Sequence, residues 1–67
     1  MEFKLKTEFI ELDNMLRALG LVASGAEARQ CIQAGSIKVN GQAETRIRRK
    51  LRSGDSVEFG NQQVSMS

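Results

Sequence analysis

The segment at residues 24–41, SGAEARQCIQAGSIKVNG, predicts a helix followed by a hairpin. Ser24 is followed three residues later by Glu27, and this capping-box spacing is the sequence signature of a helix start. Gly35 supplies the left-handed residue with which many helices end. The helix has one face that we expect to be buried, formed by Ala28, Cys31 and Ile32.

After this helix the pattern changes to the two-residue period of a strand. Ile37 and Val39 alternate with polar neighbours, which is typical of a half-buried strand. The dipeptide Asn40-Gly41 is the strongest short signal for a hairpin turn. A return strand is therefore expected over residues 42 to about 45.

The start of the chain predicts a strand and another helix. Residues 2–6, EFKLK, alternate between apolar and basic side chains. Residues 8–20 carry an apolar stripe at helical spacing, formed by Leu12, Met15, Leu16 and Leu19. Gly20 is placed to end this helix, whereas its start lies between Glu8 and Glu11 and stays open.

The last part of the chain reads as two more strands. Residues 53–55, SGD, predict a turn, Val57 and Phe59 alternate as a strand, and Gly60-Asn61 turns into a final strand ending near Met66. The predicted order is β-α-α-β-β-β-β. This is an α+β fold, with two helices packed on a small, largely antiparallel sheet, in a single domain over residues 1–67.

Length and composition exclude several classes of protein. A chain of 67 residues forms one domain at most. Cys31 is the only cysteine and there is no histidine, so neither a disulfide nor a structural zinc is expected. No apolar run approaches the roughly 18 residues that span a membrane, and no export signal is evident. We expect a cytoplasmic protein without membrane attachment.

Catalytic residues are not indicated. Cys31 falls on the predicted core face, where a thiol usually acts as a small apolar group. Glu8, Glu11 and Asp13 read as helix-start carboxylates that suit the helix dipole. We therefore expect no enzyme activity, no cofactor and no metal. The three phenylalanines, Phe3, Phe9 and Phe59, are expected to fill the core.

Positive charge is concentrated in the second half of the chain. Residues 1–34 have a net charge of −1 and residues 35–67 of +3, and five of the seven residues from 46 to 52 are basic. Such a run can be a solvated strand edge that prevents aggregation. It can also bind an anionic partner, and its arginines favour phosphate. On a regular strand with Ile47 buried, Arg46, Arg48 and Lys50 would share the solvent side.

The order of these elements resembles a known family. Residues 10–59 resemble the ribosomal-protein-S-four-type RNA-binding domain, also called the αL motif. The segments that carry the resemblance are LDNMLRALGLVAS, GAEARQCIQAGSIKVNG and RSGDSVEF. The added opening strand and the segment ETRIRRK are similar to small stand-alone bacterial members of the YbcJ type.

The resemblance implies a non-enzymatic bacterial protein that binds folded RNA, ribosomal or transfer RNA, through the second helix and the basic hairpin. It also implies association with ribosomal particles, and we expect a monomer. The RNA-binding residues that we predict are Arg29, Gln33, Lys38, Asn40, Arg46, Arg48, Arg49 and Lys50. Because exposed aromatic residues are not expected, contact with phosphates and RNA shape is favoured over base stacking.

Some of these assignments have alternatives. Many family members carry an RNA-gripping arginine where this chain has Gly25, so residues 46–50 are candidates to replace that contact. Asn40 has a competing structural role in the hairpin turn, and Arg29 could instead form a surface ion pair with Glu27 or a neighbour. The basic surface could also bind an acidic protein. Duplex DNA is disfavoured, because neither helix presents a basic face for the major groove.

Overall fold

The computed structural model describes all 67 residues and shows two helices packed against one side of a mixed sheet. The predicted α+β class is confirmed. The elements are β1 (Glu2–Phe3), β2 (Ile10–Glu11), α1 (Leu12–Ala18), α2 (Gly25–Gln33), β3 (Ile37–Val39), β4 (Gln42–Ala43), β5 (Lys50–Leu51), β6 (Ser56–Phe59) and β7 (Gln62–Met66). No helix is long and apolar enough to cross a membrane.

The main sheet has five strands in the order β1-β7-β6-β3-β4. Its pairs are antiparallel except for β1 and β7, which run parallel with Glu2 opposite Ser65. The two ends of the chain thus lie side by side. A separate two-stranded sheet joins β2 to β5, and neither of these two-residue strands was predicted from the sequence.

The first helix begins later than Glu8. Glu11 occupies the position before the helix in an extended conformation, and its side chain makes no capping hydrogen bond. The open choice of start is therefore settled in favour of Glu11. The predicted apolar stripe faces the core, since Leu12, Met15 and Leu16 are fully buried.

The second helix has the predicted ends. The Ser24 hydroxyl accepts a hydrogen bond from the Glu27 amide at 3.2 Å, and the Glu27 carboxylate accepts one from the Ala23 amide at 3.3 Å. Gly35, at φ 78°, follows the helix in the left-handed region. Ala28 is buried as expected, but Cys31 is only partly buried at the edge of the core.

The predicted hairpin turn is present between β3 and β4. Asn40 has φ 52° and Gly41 has φ 84°, so both central residues are left-handed, as a type I′ turn requires. The return strand is shorter than expected, although the Glu44 amide still donates to the Ile37 carbonyl at 2.9 Å.

Twelve buried residues form one core between the helices and the sheet. All are aliphatic, alanine or methionine, and none is aromatic. The expectation that the phenylalanines fill the core is therefore only partly right. Phe3 and Phe59 pack against its edge half-buried, whereas Phe9 lies outside it. Small helices with short aliphatic side chains leave little volume for an aromatic ring between two layers.

Candidate nucleic-acid interface

The basic run does not form the regular strand that its alternation suggested. Residues 46–49, which we call the basic loop, form the last part of the connection from β4 to β5. A turn closes where the Arg49 amide donates to the Arg46 carbonyl at 3.4 Å. Of the basic residues in the run, only Lys50 enters a strand, opposite Glu11 of β2.

The basic loop is fixed to the first helix. The amide of Leu12 donates to the Arg49 carbonyl at 2.8 Å, and the amide of Asp13 donates to the Ile47 carbonyl at 3.2 Å. These carbonyls satisfy two of the N–H groups that every helix start leaves without an intrahelical partner. The Ile47 side chain packs against the core from the same loop. The loop is therefore held by backbone bonds and by apolar contact.

Arg46 and Arg48 lie on the solvent side, as expected, despite the irregular backbone. The side chains of Arg46 and Arg48 are 70% and 79% exposed, whereas Ile47 and Arg49 are partly buried. A surface cavity of about 450 Å³ is lined only by cations, Arg46, Arg48, Arg49 and Lys50. We call this cavity the basic groove.

Glu44 binds two of the arginines that line the groove. It is the one buried charged residue of the protein. Its carboxylate accepts hydrogen bonds from Arg46 Nε at 3.0 Å and Nη2 at 3.2 Å, and from Arg49 Nη1 at 3.4 Å. The Arg46 amide donates to the same carboxylate at 3.1 Å. A single buried carboxylate therefore sets the direction of two of the four groove cations.

These contacts shift the pKa values of Glu44 and Arg46. The hydrogen bonds from the Arg46 guanidinium lower the pKa of Glu44 below its ordinary value of 4.5, although desolvation opposes the shift. The same hydrogen bond raises the pKa of Arg46. Glu44 is thus ionised at neutral pH, and both partners of the pair are charged there.

Two further residues hold the other groove cations. A Glu11 carboxylate oxygen lies 3.6 Å from Arg48 Nε. The Lys50 ammonium lies 4.9 Å from the centre of the Phe9 ring, and the Arg52 guanidinium lies 5.6 Å from it. At these distances the ring face attracts both cations. Phe9 is therefore occupied by cations and is not a free platform for a base.

Asn40 has the structural role that competed with RNA contact. Its side chain donates to the Asp55 carboxylate at 3.0 Å and accepts from the Ser56 amide at 2.9 Å. The hydrogen bond from the Arg52 amide, reinforced by that from Asn40, lowers the pKa of Asp55. Asn40 therefore ties the hairpin turn to the turn before β6.

The remaining predicted residues lie apart from the groove. Lys38 projects from the sheet face away from the helices, because its neighbours Ile37 and Val39 are buried and side chains alternate along a strand. Arg29 and Gln33 are exposed on α2. The three ion pairs of the protein involve Arg46, Arg48 and Arg49, so the alternative in which Arg29 pairs with Glu27 or a neighbour is wrong. Lys38 thus lies on the outer face of the sheet, whereas Arg29 lies on a helix.

Sequence reasoning missed the residues that hold the groove together, namely Glu44, Glu11 and Phe9. The only signal for Glu44 was its place two residues before Arg46, a spacing that usually means an exposed pair. No cluster of three or more His, Cys, Asp or Glu side chains could hold a metal ion.

Comparison with known proteins agrees with this architecture. The family model described as "S4 domain" matches residues 3–66. The Escherichia coli K12 protein named "Putative RNA-binding protein YbcJ" is 38% identical over 61 residues, which cover 91% of this chain and 87% of that protein. A Shigella flexneri protein named YbcJ, described as uncharacterized, gives the same values.

A solved structure shows the same fold. The solution structure of E. coli YbcJ superposes with a TM-score of 0.73, covering 97% of this chain and 84% of that one. It is described as revealing an αL motif involved in RNA binding. The shared sequence over nearly the whole chain, together with the shared order of helices and strands, shows that the protein belongs to the S4 domain family.

Proposed function

We propose that this protein binds folded RNA through the basic groove without catalysing a reaction on it. The observation that carries the proposal is a surface cavity whose lining consists of four cations and nothing else. Guanidinium groups bind phosphate oxygens through paired N–H donors, and a groove with several of them suits a phosphodiester backbone. The names of the E. coli relative and its motif support RNA as the ligand.

The groove favours phosphate and shape recognition. Its cations are preorganised by Glu44, by Glu11 and by the backbone bonds of the basic loop to α1. Fixed cations at a fixed spacing select a backbone of matching geometry, which a folded RNA presents and a flexible strand does not. Because Lys50 and Arg52 cover Phe9, base stacking has no platform in the groove. Ribosomal and transfer RNA are the folded RNAs that the family resemblance implies.

Salt dependence tests this proposal directly. Binding of a labelled RNA stem-loop is measured by fluorescence anisotropy over a range of salt concentrations, beside a DNA hairpin of the same sequence and an acidic peptide. With about four to five cations neutralising phosphates, log affinity should fall against log salt with a slope of about −3 to −5. A slope near zero would remove phosphate contact. Equal binding of the DNA hairpin or preference for the peptide would contradict RNA recognition.

A further inference from the structure

The main sheet has an open edge at β1, which has a neighbouring strand on one side only. On that side the pairing continues past the strand, because the Ser67 amide donates to the Phe3 carbonyl at 2.9 Å and the Leu5 amide donates to the Ser67 carbonyl at 2.8 Å. Lys4 lies between these two residues, and its own N–H and C=O form no hydrogen bond within the protein. Such unpaired groups are the ones with which an added strand can pair.

A surface cavity of about 420 Å³ follows the same segment, and we call it the edge groove. It is lined by residues 2–7, by Ile10 of β2 and by Ala18 of α1. Phe3, Leu5, Ile10 and Ala18 make part of this lining apolar. Clefts that bind ligands have volumes of about 300–1,000 Å³, so the edge groove is large enough to receive side chains.

The charge along this edge is positive. Lys4 and Lys6 are exposed, and neither takes part in the three ion pairs of the protein. Glu2 is the one acidic residue that lines the edge groove. The two lysines alternate with the half-buried Phe3 and Leu5. A strand placed beside this edge would therefore meet apolar side chains on one face and cations on the other.

We propose that β1 and the edge groove bind an extended segment of a partner protein, in which acidic residues alternate with aliphatic ones. The backbone of the segment pairs with Lys4 and adds a strand to the sheet, and its aliphatic side chains enter the edge groove. Its carboxylates lie beside Lys4 and Lys6, since opposite charges on neighbouring strands attract. This interaction is additional to RNA binding, and the edge groove shares no lining residue with the basic groove.

The lysines also decide which strands are rejected. Lysine on a sheet edge commonly prevents association with another strand. A second copy of this edge would bring two more lysines and one glutamate, so two copies repel each other through their net charge. An acidic segment meets no such repulsion. The same two side chains therefore disfavour self-association and favour an acidic partner.

A peptide titration tests the proposal. The ¹⁵N-labelled protein is titrated with a short acetylated peptide in which glutamate alternates with valine. We expect the amide resonances of Lys4 and Lys6 to shift and hydrogen exchange of the Lys4 amide to slow, because that amide gains a bond. A peptide of the same composition, with its glutamates and valines in separate blocks, should bind at least fivefold more weakly. The alternating peptide methylated on its backbone nitrogens should also bind more weakly.

Two variants test the charge and the cavity separately. Lys4→Glu/Lys6→Glu should lose the glutamate peptide and bind a lysine–valine peptide instead, which the parent should not bind. Ala18→Arg fills the edge groove from the last residue of α1, where the side chain is exposed and arginine suits a helix. It should weaken binding of the glutamate peptide at least fivefold. Circular dichroism should show parent-like melting for both variants, since all three positions are exposed.

Several results would overturn the proposal. They are an absence of shifts at Lys4 and Lys6, equal binding of the block peptide, and unchanged binding of the glutamate peptide by either variant. A dimer that Ala18→Arg dissociates would show a second copy as the occupant. An RNA stem-loop that shifts the Lys4 and Lys6 amides more than those of the basic loop would show RNA as the ligand. Arg46→Ala/Arg48→Ala should bind the peptide as the parent does, so failure of the proposed function leaves this test intact.

Discussion

Replacing Arg46 and Arg48 one at a time by alanine should separate RNA contact from stability. Both side chains are largely exposed and line the basic groove, so each variant should lose affinity for an RNA stem-loop. The two changes together should weaken binding at least tenfold. Their effects on unfolding should differ, because Arg46 is bonded to buried Glu44, whereas Arg48 lies 3.6 Å from the partly exposed Glu11.

The size of the difference follows from the hydrogen bonds of Glu44. Arg46→Ala removes the donors at 3.0 and 3.2 Å, but leaves the Arg46 amide at 3.1 Å and Arg49 Nη1 at 3.4 Å. A buried acceptor that loses all its donors destabilises a protein by about 1–3 kcal/mol. Because Glu44 keeps two of its hydrogen bonds, we expect Arg46→Ala to lower the free energy of unfolding by about 1 kcal/mol, near the lower end of that range. For a domain of this size, about 1 kcal/mol lowers the melting temperature by about 4–8 °C. Arg48→Ala should leave it nearly unchanged.

A third variant tests whether the unpaired Glu44 carboxylate causes the stability loss of Arg46→Ala. Glu44→Ala/Arg46→Ala removes the buried carboxylate along with its partner, so we expect it to melt at a higher temperature than Arg46→Ala. Its RNA affinity should stay low, because the groove still lacks the Arg46 cation. Circular dichroism and fluorescence anisotropy on the same samples give both values. Equal melting temperatures for Arg46→Ala and Arg48→Ala would refute the buried-acceptor reasoning. Parent-like RNA affinity in the variants that lack Arg46 would refute its contact with RNA.

Three other properties can be measured on the protein and its variants. The folded-state pKa of Glu44 is lowered, so the contribution of its carboxylate to stability is complete above about pH 4.5 and is lost as pH falls through the folded-state pKa. The free energy of unfolding of Glu44→Gln should therefore fall less than that of the parent between pH 6 and 3. Asn40→Ala should lower the free energy of unfolding by about 1–2 kcal/mol from the left-handed backbone alone, measured by urea denaturation, whereas Asn40→Gly should keep the turn and lose only the side-chain bonds. Native Cys31, half-buried, should react with a thiol reagent more slowly than in the unfolded chain, and Cys31→Ser should lower the free energy of unfolding by about 1 kcal/mol; labelling as fast as in urea would show the thiol exposed.

The elements that short-range chemistry determines could be predicted. The capping box at Ser24 and the left-handed Asn40-Gly41 pair each act over two to four residues, and both are present. The apolar stripe of α1 was also correct, because burial follows the helical period. The strands β2 and β5 could not be predicted in this way. They pair residues about forty positions apart, and two residues are too few for a period to show.

In the candidate site, too, some features could be predicted from the local sequence and others depend on tertiary contacts. That residues 46–50 carry exposed positive charge was readable from composition, and the structure places all four cations in one groove. The burial of Glu44 depends on how the hairpin meets the basic loop, which only the folded chain determines. Local patterns therefore identified the charges, and tertiary contacts arranged them.

The carboxylates beside the groove change what its four cations can do. Glu44 and Glu11 neutralise two of the four charges, so the groove attracts a distant polyanion less strongly than its composition suggests. The same carboxylates orient three of the guanidinium groups in the free protein, so a ligand that binds there needs less ordering of those side chains. Long-range attraction acts on any polyanion, whereas fixed directions act only on a backbone of matching shape. For the function proposed above, a groove built in this way would have less general affinity for nucleic acid and more discrimination in favour of folded RNA.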